Sequence, residues 1–252
     1  MAIGFNGEKC TNLRLARGNT APPAFTYHMG PDGNKVPLKV VKAEKDLGVK
    51  ISCDLKVGAH VEEAVAKATR VAFTVKRTLT FRDKNTVTML HKALIRPILE
   101  YSNTAWRPTL AKDIEAIEKV QRRVTKMIPE IKDLPYQTRL RECRLPTLEH
   151  RRRRGDMIEA YKLTHELYQL APPGIIKLAS GRTATRGHPY KMQVTTASTN
   201  LGLNKFSRRI VKEWNNLPSA VVCAKSLNSF KSSLDVHWRD VESKYDYKIR
   251  DY

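Results

Sequence analysis

At Val57 the apolar residues of this chain change their period, and that change decides what it can fold into. After it, Val57, Val61, Val65, Ala68, Ala72, Val75 and Leu79 recur at steps of three and four, which is one stripe of a helix. Val87, Leu90, Leu94 and Ile98 form a second stripe, and Leu110, Ile114, Ile117, Val120, Val124 and Ile128 a third. Pro97 falls inside the second, where a ring without an N–H should kink or end the helix. Before Val57 the apolar residues alternate instead: Leu13 and Leu15 in CTNLRLA, Phe25 and Tyr27 in AFTYHM, then VPLKVV and DLGVKI. Gly18, Asn19, Pro22 and Pro23, and then Gly30-Pro31-Asp32-Gly33, supply turn chemistry between them. Strands this short bury little alone. The expected fold class is α+β, mainly α, with a short β-rich N-terminal piece followed by a helical bundle and a basic helical C-terminal region.

The third helix is expected to expose the pairs Glu115–Lys119 and Glu118–Arg122. Arg122, Arg123 and Lys126 follow in its last turns, where cations suit the helix dipole, and Pro129 closes it. Pro135 to Cys143 reads as a short helix. A long one should run from Thr147, its N-cap, to Leu170, ended by Pro172-Pro173-Gly174. Loop chemistry then prevails, with one strand at MQVTTAS. Phe206, Ile210, Val211 and Trp214, and then Leu227, Phe230, Leu234 and Trp238, form a helical pair. The segments are therefore 1–53 (β-rich), 54–132 (helical bundle), 133–170 (basic helical), 171–204 (basic loop), 205–240 (helical pair) and 241–252, a charged tail expected to fray.

Charge narrows the partners. With 46 Lys+Arg against 25 Asp+Glu, the chain carries a formal +21, which favours polyanions and nucleic acid above all. No acid stands between Glu166 and Glu213, while Lys177, Arg182, Arg186, Lys191, Lys205, Arg208, Arg209 and Lys212 accumulate. Arg151 to Arg154 are consecutive. Successive helical residues turn by about 100°, so the four cannot share one face. Arg154 falls in the apolar arc of Met157, Ile158, Tyr161 and Tyr168, and should pair with a carboxylate or bury its stem. Arg151 and Arg152 lie opposite, where phosphate contact and simple solvation are both open. Trp214 and Trp238 sit on apolar stripes and read as core, whereas Trp106 stands undecided at a helix boundary.

Catalytic signatures are missing. There is no GxSxG, HExxH or P-loop. No Asp–Asp dipeptide occurs, and no acidic pair sits where it would hold two metal ions for phosphoryl transfer. Cys10, Cys53, Cys143 and Cys223 are dispersed, without zinc spacing, and read as free thiols of a reducing compartment, nuclear or cytoplasmic. No apolar run reaches the length of a bilayer span, so no membrane partner is expected.

The wording of the chain also resembles a family. FNGEKCTNLRLARGN, EKDLGVKISCDLKVGAHV, KALIRPILEYSNTAW, DIEAIEKVQRRVTKMI, LPTLEHRRRRGDMIEAYKL and FSRRIVKEWNNLPSAVVCAKSLNSFKSSLDVHW stand in the order found in the C-terminal part of jockey-like non-LTR retrotransposon (LINE) reverse transcriptases. The resemblance implies that 1–53 is a palm remnant and 54–132 a thumb-like bundle, in a region that grips a primer–template duplex. It also implies that the family's FADD/YADD-type hairpin and upstream catalytic Asp would lie before Met1. Lys9, in NGEKC, matches the family lysine proposed as general acid for pyrophosphate departure, and equally suits a strand edge. The complete enzyme would use Mg; no cofactor is expected for this chain. The expected role is thus that of a non-catalytic fragment of an RNA-directed DNA polymerase. It would bind RNA, DNA or their hybrid without sequence preference, with a separate palm-containing polypeptide as a further partner. A domesticated protein–protein module and a relic without function are the alternatives. The expected phosphate contacts are Arg122, Arg123, Lys126, Arg151, Arg152, Arg208, Arg209 and Lys212. If about six engage, log affinity should fall against log salt with a slope near −5.

Overall fold

The computed structural model describes residues 9–15, 25–30, 35–169, 174–179 and 187–249. The fold is α+β and mainly α. It divides into two compact units, Met1–Ala64 and Val65–Tyr252.

The first unit holds short strands: β1 (Thr11–Leu13), β2 (His28–Met29), β3 (Val36–Pro37), β4 (Lys39–Val41), β5 (Ala43–Asp46) and β6 (Val49–Ser52). They join in twos, with β1 and β4 parallel and β2–β3 and β5–β6 antiparallel. DLGVKI is not one strand. Leu47 and Gly48 both take positive φ (43° and 84°), the geometry of a two-residue hairpin turn, and divide it between β5 and β6. The start of helix α1 (Gly58–Thr78) is tied to that hairpin. The Lys50 N–H donates to His60 Nδ1 at 3.2 Å, and Lys45 Nζ meets Glu63 at 2.8 Å. The expected turns at Gly18–Pro23 and Pro31–Gly33 lie outside the described residues.

In the second unit the α1 stripe is buried as spaced, through Ala68, Ala72 and Val75. Next come α2 (Lys84–Leu90), a π-helical turn (His91–Ile95) and α3 (Arg96–Glu100). The Asp83 carboxylate caps α2, accepting the Thr86 N–H at 3.0 Å. Pro97 does not end the run. The wide turn before it, in which the Arg96 N–H reaches back to His91 O, relieves the clash between the ring and the preceding turn. The wide turn also inserts one residue into the period. The buried line becomes Val87, His91, Ile95 and Leu99, not Val87, Leu90, Leu94 and Ile98, and Leu94 is left 47% exposed.

Helix α4 (Ala111–Thr125) buries Ile117, Val120 and Val124. Glu118 also points inward, 1% exposed. The expected Glu118–Arg122 surface pair therefore does not form, and Arg122 reaches Glu115 instead, at 2.8 Å. Beyond it lie α5 (Tyr136–Glu142) and α6 (Leu148–Thr164). Thr147 caps α6 through Oγ1, which accepts the His150 N–H at 3.1 Å. The helix stops six residues before Leu170. Glu166 turns left-handed (φ 53°) and the Leu167 N–H closes on Lys162 O at 2.9 Å, a helix-ending motif built without glycine.

Five short helices follow: α7 (Asn200–Leu203), α8 (Phe206–Arg209), α9 (Val211–Asn216), α10 (Ser219–Val222) and α11 (Leu227–His237). Met157 and Tyr161 of α6 join Ile210, Trp214, Val222, Phe230, Leu234 and Trp238 in one apolar core. Trp214 and Trp238 are thus interior, with Trp214 Nε1 donating to Tyr190 O at 2.8 Å. Trp106 is interior as well. The strand expected at MQVTTAS reduces to one bridge, Met192 to Leu178. The tail does not fray as far as it is described. Lys244 O accepts the Thr147 N–H at 2.8 Å and Ser243 O accepts Thr147 Oγ1 at 3.2 Å, so the tail supplies acceptors at the buried start of α6.

Candidate nucleic-acid interface

The four consecutive arginines of α6 are all engaged internally. Arg151 grips Glu100 through Nε and Nη2, the latter at 2.8 Å. Arg153 meets Glu213 and, at 2.9 Å, Ser243 Oγ. Arg154 forks onto Asp235 at 2.6 and 2.8 Å, so its need for a carboxylate is met. Arg152 is the clear correction. It is 1% exposed, donates to Leu99 O at 3.1 Å and lies 5.6 Å from the Trp106 ring centre, where phosphate cannot reach it. The reason is that α6 packs on two sides, against α4 and against α11. Leu148, Arg152 and Asp156, four residues apart, form a second buried line that the apolar stripe does not reveal.

Arg209 is likewise spent. Its Nε and Nη2 grip Asp156 at 2.9 and 2.8 Å, and it donates to Thr104 O and Asn204 O. Asp156 also receives Arg107 Nη1 at 2.8 Å, and Arg107 Nη2 meets Glu149 at 2.5 Å. Burial by itself would weaken the Arg107 cation, but Glu149 and Asp156 overcome this and hold its pKa above the ordinary value. For Glu149, burial favours the neutral form and Arg107 and Arg152 outweigh it, keeping its pKa low. A guanidinium thus stands between these two carboxylates, where a metal ion would have to sit. They do not fit a magnesium site, and among the described residues no cluster of three metal-ligating side chains occurs. Arg208 uses its donors on Thr195 Oγ1 (3.1 Å) and Gly202 O (3.2 Å). Arg122 is held by Glu115 and by the Tyr247 hydroxyl at 2.7 Å, and lies near the Tyr136 ring.

Of the eight expected contacts, three stay exposed. Arg123 and Lys126 are exposed on α4 without an ion-pair partner among the described residues, as is Lys212 on α9. Lys112 and Lys119 join the first two. Offsets of seven, four and three from Lys112 to Lys126 place these four cations within one arc of α4, opposite its buried stripe. At 1.5 Å per residue the row is about 21 Å long. The sequence reading missed Lys112 and Lys119, which it could have found by plotting cations on the wheel used for the apolar stripe. Lys212 stands apart, lining a cavity of about 600 Å³ whose other cations include the paired Arg107, Arg153 and Arg209. Lys9 is exposed in the first unit and belongs to neither group.

Beneath the α4 stripe lies a buried polar network. Glu118 accepts the Tyr136 hydroxyl at 2.6 Å and the Leu148 N–H at 3.0 Å. Gln121 donates to Pro146 O at 3.1 Å, and its Oε1 lies 2.9 Å from His91 Nε2. Burial pushes the Glu118 carboxyl up to about 7 and the His91 imidazole down to about 4. The network pins α4 to the π-turn, α5 and the start of α6, and so fixes which face of α4 meets solvent. The four cysteines are free thiols, and among the described residues no helix is long and apolar enough to cross a membrane. No protein-family model, curated protein or solved structure matches this chain.

Proposed function

We propose that this chain binds RNA, DNA or their hybrid without sequence preference, along the outer face of α4. The observation that carries the proposal is the row Lys112, Lys119, Arg123 and Lys126, cations on one exposed arc that no described acid neutralises. An excess of +21 charges supports it. So does the resemblance to the gripping part of a LINE reverse transcriptase, of which this chain would be a fragment. Polymerisation by the chain alone is not part of the proposal, since the sequence lacks an Asp–Asp pair. Template-dependent dNTP incorporation by the purified chain would overturn that part.

The test is the salt dependence of affinity. Four phosphates neutralised on duplex give a slope of about −3.6, shallower than the value near −5 expected when the α6 and α8 arginines are counted as contacts. Fluorescence anisotropy of a labelled duplex across a salt series reads it, and a slope of zero refutes the proposal. A protein–protein module is the second reading. It is favoured by Met89 and Leu94, exposed apolar residues on α2 and the π-turn, and by exposed Phe81 just before α2. A salt-resistant protein complex together with a flat nucleic-acid response would select it.

A further inference from the structure

We propose that the first unit carries a stacking platform for unpaired nucleotides, built on Phe25 and Tyr27; this rests on the nucleic-acid reading and extends it to single strands. A lone exposed aromatic residue needs no explanation. These two are 61% and 53% exposed and touch edge to face, with ring centres 4.8 Å apart at 69°. Two residues apart on an extended segment, they share one side of it. The segment is fixed from behind: the Leu38 N–H donates to Tyr27 O at 2.7 Å, and Arg14 Nη2 donates to Phe25 O. The backbone that carries the rings is thus held at both carbonyls, and the rings stand exposed.

Three cations stand on or next to the strands tied to this segment. The parallel β1–β4 ladder ends at Leu13 opposite Val41, which sets Arg14 and Lys42 side by side, and Lys39 follows the residue paired with Tyr27. Lys39 and Lys42 are exposed, and none of the three meets a carboxylate among the described residues. The acid that meets β1, Glu44 of β5, is occupied by Thr11 Oγ1 at 2.7 Å and the Lys45 N–H at 3.1 Å. Aromatic faces beside unneutralised cations suit a strand whose bases stack while its phosphates are neutralised, and every base offers a π-face, so no sequence preference is required. A duplex hides those faces.

The experiment compares three probes of equal length: a labelled single strand, its duplex, and an abasic single strand with the same phosphates. For the double variant Phe25→Ala/Tyr27→Ala, affinity for the single strand should fall about 10- to 100-fold. Affinity for the duplex and the abasic strand should change less than about twofold, and the salt slope should hold, because no cation is lost. Phe25→Tyr should keep single-strand affinity. Equal losses on all three probes, or no loss on the single strand, overturn the inference while leaving the binding role of α4 intact. If the unmodified chain binds none of the probes in a salt-dependent way, the parent reading falls and the platform with it.

Discussion

Replacing Asp156 by alanine should destabilise the Val65–Tyr252 unit by about 3–5 kcal/mol, the range for breaking a buried ion pair from one side. Asp156 is almost wholly buried and is the shared acceptor of Arg107 and Arg209. Removing it leaves two guanidinium groups facing each other; Arg107 retains Glu149, while Arg209 retains only the carbonyls of Thr104 and Asn204. In a unit of this size the loss corresponds to a fall in Tm of about 10 °C. Arg154→Ala is the matched control. It breaks an equally well-formed fork, but its partner Asp235 is half exposed, so the cost should stay below about 1 kcal/mol. Thermal unfolding of both variants checks the contrast, and equal Tm shifts would show that the arginine–carboxylate pairs made by α6 are not graded by burial.

Glu118 sets the second large effect. Its carboxyl titrates at about 7 in the folded chain against an ordinary 4.5. Between those values the unfolded chain releases a proton that the folded chain retains, so folding stability falls as pH rises through this window. The total is about 3 kcal/mol, and the effect is flat on either side. His91 and His150 act in the opposite sense. Burial holds both at about 4, so they cost stability as pH falls below the ordinary histidine value. His60, His165 and His188 are also lowered by burial, so the raw curve mixes them all, and the Glu118→Gln variant isolates the carboxyl. Its amide oxygen can still accept the Tyr136 hydroxyl, and it does not titrate. Urea unfolding at a series of pH values should show the variant gaining on the parent by about 3 kcal/mol between pH 4.5 and 7.5. A constant difference would mean that Glu118 is ionised in the folded chain throughout.

The helices were legible because packing on one side leaves a periodic trace. The α1 and α4 stripes, the Thr147 cap and the interior placement of Trp214 and Trp238 could all be read from spacing; that of Trp106 could not. Two kinds of feature could not. The π-turn before Pro97 adds one residue to the period, and nothing in HKALI marks it, so the expected stripe of Leu90, Leu94 and Ile98 falls one position short of the buried His91, Ile95 and Leu99. The arginines of α6 misled for a different reason. A helix packed on two sides has no solvent face to assign, and its charges must find carboxylates that lie far away in sequence: Glu100 for Arg151, Glu213 for Arg153, Asp235 for Arg154. The same holds for Arg209 and Asp156. A run of like charge in sequence is therefore a poor guide to a patch of like charge in space. The row on α4 is inconspicuous in sequence because Glu115 and Glu118 interrupt it, yet one of these acids is tied to Arg122 and the other is buried.

The central claim is that this row, and not the arginine run, meets nucleic acid. The most direct measurement is the salt slope of duplex binding for the triple variant Lys119→Gln/Arg123→Gln/Lys126→Gln beside the unmodified chain. Removal of three contacts should flatten the slope by about 2.7, from about −3.6 to about −0.9, with Tm unchanged because all three side chains are exposed. A slope unchanged by the triple substitution would place the phosphate contacts elsewhere and contradict the account.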